Sequence, residues 1–432
     1  MLLYFGRIFR KYRNIFSNFS YLTLLQISNY IFPLITFPYL VRVLGPENFG
    51  LVNFAIAFVT YFGIISDYGF NLTATREISI NRNDTKAVSK IFSTVISIKV
   101  LFLTVSFIIL LALCWIITEF RELNTLYIIA FLMVAGQAIF PNWFFQGIEK
   151  MKYITILNIG IKSISVIFIF LLVTSSTDYL ILISIYAGTT ITIGILSLIV
   201  IFGKFKVRYN IPSFLDIYHQ LKEGSHVFAS TLSISLYTNS NAFILGLLAG
   251  NTAVGYFVAA DKIRMAFQGI FSQVGQSVFP HMSQLYFEKI ERGVDLSKKL
   301  IKYGGSVVFI SCVGLLIFSN EIIYFVVGDQ YANSVIVLRV ISFLPFLIFL
   351  SNIAGIQTML NIGMQKQFFY IIILAGIINI ILLFSLVPFF FELGTAVSVV
   401  VAELIVTIGM IVYLQKRKIN LFNGYSKLQE LK

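Results

Sequence analysis

The run YIIILAGIINIILLFSLVP, residues 370–388, carries no charged residue. A bilayer core takes about 20 such residues in a helix rising about 1.5 Å per residue. Lipid offers no partner for a backbone N–H or C=O, so only helices and closed barrels span it. The apolar runs are continuous rather than alternating, which selects helices. They recur along the chain, which is 58% hydrophobic and only 12% charged. A soluble domain would carry about a quarter charged residues. The expected fold class is an all-α polytopic membrane protein.

Hydropathy predicts twelve spans, at 18–44, 49–70, 91–117, 125–147, 153–174, 179–202, 225–248, 253–285, 303–319, 331–360, 367–388 and 395–415. One alternate set of connections (1–17, 71–90, 148–152, 203–224, 286–302, 361–366, 416–432) holds 25 of the 32 Lys and Arg, and the other holds Arg121 alone. The positive-inside rule places the basic set, and with it both termini, in the cytoplasm. The net charge of +13 therefore reads as membrane orientation rather than nucleic-acid binding. The basic N-terminal stretch has no short apolar core with a small-residue cleavage site, so the first span is expected to be retained. Cys114 and Cys312 lie inside apolar runs, where no disulfide framework is expected. His219, His226 and His281 show no metal-ligand spacing, so no metal or cofactor is expected.

Two weak repeats suggest duplicated halves. GPENFGLVNFA (45–55) matches GNTAVGYFVAA (250–260) at an offset of 205, and GIEKMKY (147–153) matches GMQKQFF (363–369) at an offset of 216. The expected organisation is a cytoplasmic segment 1–17, an N-lobe 18–202, a linker 203–224, a C-lobe 225–415 and a tail 416–432. Parallel repeats of this kind build transporters.

Charges within spans are costly and usually face a cavity or a partner. Lys99 and Lys162 lie about nine residues inside their spans, too deep for a lysine stem to reach the interface. Lys262 and Arg264, beside Asp261, lie nearest the midplane, and Arg339 is a further candidate. Asp261, Arg264, Gln268, Ser272 and Gln276 share one helix face by their spacings of three and four. QISN (ending at Asn29) and TNSN (including Asn239 and Asn241) place polar patches at similar depths in the two halves. Packing-only readings stand beside these, above all an Asp261–Arg264 ion pair. The excess of cations nevertheless predicts a central cationic cavity that takes an anion bearing phosphate, pyrophosphate or carboxylate. Asp67, Asp261 and Glu403 are the acids within spans and the candidates for proton or sodium coupling. No phosphate loop, HExxH or GxSxG motif is present to suggest an enzyme.

FPYLVRVLGPENFGLVNFA (37–55), DYGFNLTATREI (67–78) and NWFFQGIEKMKYI (142–154) resemble the Wzx-type flippases of O-antigen and capsule synthesis. These form the polysaccharide branch of the MATE-like exporter superfamily. The resemblance implies two six-helix lobes working by alternating access. It implies an undecaprenyl-pyrophosphate-linked oligosaccharide as substrate, flipped to the periplasmic leaflet of the bacterial inner membrane. An O-antigen polymerase and a chain-length regulator are candidate partners. A lipid II flippase, a small-molecule exporter, and an O-antigen polymerase or other membrane glycosyltransferase are the alternatives. In the first span, Pro33 and Pro38 are expected to allow bending, Gly45-Pro46 to turn the chain and Arg42 to anchor that end.

Overall fold

A computed structural model describes residues 2–422, with side chains left undescribed over 2–16 and at 19, 233, 234, 236–238, 274 and 276. Of the residues named above, Gln276 and Thr238 fall among the undescribed side chains, as does nearly all of the segment 1–17. The tail beyond 422 lies outside the described residues. Among the described residues all regular structure is helical, and nine stretches are long and apolar enough to cross a membrane. Three of the longest helices break internally, at Gly45, Gly250 and Phe391. These breaks reconcile fewer continuous helices with the larger number of predicted spans.

The first compact unit comprises Met1–Leu44 and Ala55–Leu232. It holds most of α1 (Leu2–Asp67), then α2 (Phe70–Asn81), α3 (Thr85–Ile116), α4 (Thr118–Glu122), α5 (Asn124–Ile139), α6 (Asn142–Gly147), α7 (Met151–Leu172), α8 (Tyr179–Lys204) and the start of α9 (Phe214–Thr238). Asp84 caps α3 by accepting from the backbone N–H of Lys86 and Ala87, which satisfies donors left open at a helix start. The NWFFQG stretch forms the short α6, and Trp143, Phe144 and Phe145 are buried in a cluster with Phe70, Ile78 and Phe92. A Cβ on Gly147 would lie 2.7 Å from Ile78, so only glycine lets α6 rest this closely on α2. This motif sits in a hydrophobic core of the unit.

The second unit comprises Gly45–Phe54 and Ser233–Lys432. It holds α10 (Ser240–Glu288), α11 (Ile290–Lys299), α12 (Gly305–Ile317), α13 (Ser319–Val326), α14 (Ala332–Ile341), α15 (Leu344–Asn352) and α16 (Gln365–Lys416). Two π-helical segments, Leu300–Gly304 and Ile353–Met359, interrupt the regular turns. A core of Met282, Tyr286, Met359 and Met410 surrounds a small polar knot. In it the Tyr286 hydroxyl lies 3.0 Å from both Ser297 Oγ and Thr358 Oγ1.

The backbone carries the internal repeat more clearly than the side chains do. Gly45 (φ 73°, ψ 172°) and Gly250 (φ 82°, ψ 176°) occupy the same region, one open in practice only to glycine. Within the second unit the segments that follow them meet reciprocally. A Cβ on Gly50 would lie 1.8 Å from the Asn251 carbonyl oxygen, and one on Gly255 would lie 2.0 Å from that of Pro46. The second sequence match is corrected by two residues. The turn before α7 has its left-handed residue at Glu149 (φ 57°), and the turn before α16 has it at Gly363 (φ 80°), an offset of 214 rather than 216. Aligning Gly147 with Gly363 matched residue type, whereas the backbone pairs a glutamate with the glycine. A third pair, Lys206 (φ 54°) and Lys418 (φ 64°), follows the ends of α8 and α16.

Candidate functional site: membrane-embedded polar side chains

In the first unit the predicted charges find partners across helices. Lys99, on α3 and 3% exposed, places Nζ 3.0 Å from Asp67 Oδ1 at the end of α1. Asn71 Nδ2 donates to the same oxygen at 2.9 Å. Lys162 on α7 donates to Asn29 Oδ1 on α1 at 2.8 Å, which joins two residues that the sequence offered separately. Pro33 and Pro38 keep helical dihedrals, and the departure from helix in α1 comes at Gly45. Arg42 is exposed three residues before that break, and Pro46 opens the helical stretch that follows.

In the second unit Arg264, 7% exposed, is held along its own helix. Its Nε donates to Asp261 Oδ1 at 2.7 Å and its Nη1 to Gln268 Oε1. The i, i+3 and i, i+4 spacings place these groups on one face of α10. Lys262, two residues before Arg264, is half-buried; it feels the charge of Asp261 but makes no hydrogen bond or ion pair among the described residues. It is thus the cation of this cluster still available to a ligand. The Ser272 hydroxyl turns back to the Gly269 carbonyl oxygen at 2.9 Å. Arg339 is exposed on α14 and donates from Nε to Ser319 Oγ at 2.9 Å.

Asn241 on α10 accepts from Nδ2 of Asn379 on α16 at 3.0 Å, while Asn239 sits half-buried at the start of α10. Glu403 is buried on α16 and accepts from the Ser351 hydroxyl at 2.7 Å. Asn379 and Ser351 were not singled out from the sequence. A lone Asn in GIINIILL is the signal that could have found the first, whereas nothing around Ser351 marks it. One convergence of metal-type ligands was also missed. Single ligand atoms of Glu77, His219 and Glu223 lie within 4.8 Å of one another and could hold a metal ion. His219 and Glu223 are one turn apart on α9, and Glu77 comes from α2.

Residues 15–286 match the family described as polysaccharide biosynthesis protein. The chain belongs to this family. Within the polysaccharide biosynthesis family it is 36% identical to a protein of Escherichia coli K12 described as an O-antigen transporter, over 93% of this chain and 97% of that one. A Shigella dysenteriae protein of the same description is 32% identical over 91% of this chain and 98% of its own. Among solved structures, an inward-facing multidrug-resistance MATE transporter of the MOP superfamily superposes with a TM-score of 0.69 at 15% identity, covering 89% of this chain and 94% of its own. The lipid II flippase MurJ, inward closed, gives 0.65 at 19%, covering 91% and 87%. The chain therefore has the fold of these transporters.

Proposed function

We propose that this protein is a flippase for a lipid-linked oligosaccharide of the O-antigen type. It carries an undecaprenyl-pyrophosphate-linked repeat unit from the cytoplasmic to the periplasmic leaflet of the inner membrane. The observation that carries this reading is the likeness, over more than nine-tenths of the chain, to two proteins described as O-antigen transporters. The membrane-embedded cations support it, since a pyrophosphate needs positive partners where water is scarce. Lys262 is the side chain best able to meet the head group, because Arg264 is already braced by Asp261 and Gln268.

The protein works by alternating access, with the lipid tail remaining in the bilayer. A membrane potential negative inside favours outward movement by about 2.3 kcal/mol per charge per 100 mV, so roughly 4–5 kcal/mol for two charges. Ion coupling is allowed but not required by this energetics. Asp67 and Asp261 are each held against a cation and Glu403 accepts from Ser351, and these three acids are the candidates for coupling. Both termini lie in the cytoplasm, and polymerase and chain-length regulator act on the product outside.

The test is complementation of a strain that lacks its own O-unit flippase but assembles O-units. Wild type is expected to restore surface polysaccharide and clear trapped lipid-linked units. Lys262→Gln, at equal expression, is expected to lower the rate more than Arg339→Gln. Failure of wild type with a matched O-unit would overturn the substrate. In that case, restored peptidoglycan synthesis in a strain depleted of its lipid II flippase would identify lipid II as the cargo.

A further inference from the structure

A cavity of about 690 Å³ opens at the start of α3, wholly within the first unit. Ligand pockets commonly measure roughly 300–1,000 Å³. Its walls carry Lys86 and Lys90 from the first turns of α3, and Lys206 and Arg208 from the segment after α8. Asp216 is the one acid among them. It pairs with Lys90 at 2.8 Å, and that hydrogen bond, with a second from Ser213, holds its carboxyl below the usual range. Asp216 is therefore ionised at neutral pH and offsets one of the four cations. Lys86, Lys206 and Arg208 have no acidic partner among the described residues.

This concentration of charge opposes local preference twice. Lys86 and Lys90 repel each other one turn apart, and Lys86 sits in the first turn of α3, at the positive end of its dipole, where anions are favoured. Lys206 takes φ 54°, a helix-end position that glycine fills most readily. The segment is nevertheless fixed in place. Ser89 and Ser93, both buried, accept from the backbone N–H of Arg208 and Asn210 at 3.1 and 3.0 Å. Tyr209 and Ser97 hydroxyls lie 2.8 Å apart one turn further along. The strap is thus held to α3 through its backbone and Tyr209, which leaves the side chains of Lys206 and Arg208 to line the cavity.

We infer that this cavity binds a phosphate or pyrophosphate ester at the basic face of the membrane. Its source is either the head group of an anionic phospholipid or a pyrophosphate-bearing molecule. The geometry supplies three uncompensated cations and a helix start, the combination that holds phosphate oxygens. The site stands on its own residues, whatever the protein transports.

The test is calorimetric titration of the purified full-length protein in neutral detergent with three probes: inorganic pyrophosphate, dihexanoyl-phosphatidylglycerol and dihexanoyl-phosphatidylcholine. The zwitterionic lipid is expected not to bind. Lys206→Gln with Arg208→Gln should weaken the bound anion about tenfold or more, through loss of charge-assisted hydrogen bonds. The backbone anchors of the strap survive that change. Asp216→Asn removes the opposing charge and should tighten binding. Binding of phosphatidylglycerol but not pyrophosphate assigns the site to a phospholipid head group, and the reverse assigns it to a pyrophosphate carrier. Absence of both, or equal affinity in wild type and the double variant, overturns the inference.

Discussion

Alanine at Gly50 is the most direct challenge to the reciprocal crossing. Its Cβ would start 1.8 Å from the Asn251 carbonyl oxygen and 2.7 Å from the Gly255 nitrogen. A carbon and a carbonyl oxygen come to rest at roughly 3.3 Å, so the two segments must part by about 1.5 Å. Overpacking of this kind costs about 1–3 kcal/mol, and backbone on both sides places this case at the upper end. The helix preference of alanine returns about 0.5–1 kcal/mol, leaving a net loss of about 2–2.5 kcal/mol. At about 2.1 cal/mol/K of unfolding entropy per residue, a chain of 432 residues loses about 2–3 °C of melting temperature. Thermal unfolding in detergent, followed by the loss of monodisperse protein, reads it. Gly314→Ala is the matched control, since no atom lies within 4 Å of the added carbon on α12, and it should be neutral or mildly stabilising. Gly255→Ala should cost as much as Gly50→Ala. The double variant should cost less than the sum, because one opening accommodates both methyl groups. An unchanged melting temperature for Gly50→Ala, or full additivity, would refute the crossing.

Lys99→Met should destabilise by about 2–3 kcal/mol, below the usual penalty for breaking a buried pair because Asp67 keeps Asn71 and some solvent. Lys99→Met with Asp67→Asn should recover much of that loss in the same melting assay. Glu403→Gln can still accept from Ser351, so it should preserve folding while flattening any pH dependence of transport that runs through this carboxyl. An unchanged pH profile would remove Glu403 from coupling. Deleting Ile301 from the π-helical Leu300–Gly304 segment lets the turn relax to α-helix. It should be tolerated better in melting temperature than deletion of Val308 from the regular α12.

The membrane class and the helical spans were legible because burial in lipid leaves a chain few options. The Gly45 and Gly250 breaks were legible for a related reason, since their dihedrals admit almost no other residue. The turn at Glu149 was not, because a glutamate occupies the left-handed position that Gly363 fills in the second half. Asp261 with Arg264 could be read from helical spacing alone. Lys99 with Asp67, and Lys162 with Asn29, could not, since each pair joins helices whose rotation depends on packing of the whole unit. NWFFQG stood out in the sequence as a mark of relationship. Its buried aromatic side chains show that its physical work is to hold α6 against α2 and α3.

The duplicated frame does not duplicate the charges. Beyond the Gly45 and Gly250 breaks both helices run without interruption, so the offset of 205 carries forward through each. It pairs Asp261, Lys262, Arg264 and Gln268 with Ile56, Ala57, Val59 and Gly63. A polar face in one half thus answers an apolar face in the other. The offset then widens to 214 at the Glu149 and Gly363 turns, and both π-helical segments fall in that interval. A π turn absorbs an extra residue without ending its helix. In Ile353–Met359 it brings two successive polar residues inward together: Gln357 Nε2 donates to the Gly275 carbonyl oxygen at 2.8 Å and Thr358 Oγ1 lies 3.0 Å from the Tyr286 hydroxyl. The second half therefore departs from the first where it acquires polar contacts, while the glycine break and the left-handed turns that set the frame persist. That division explains why backbone dihedrals reveal the repeat so readily, whereas the residues with the greatest bearing on substrate obscure it.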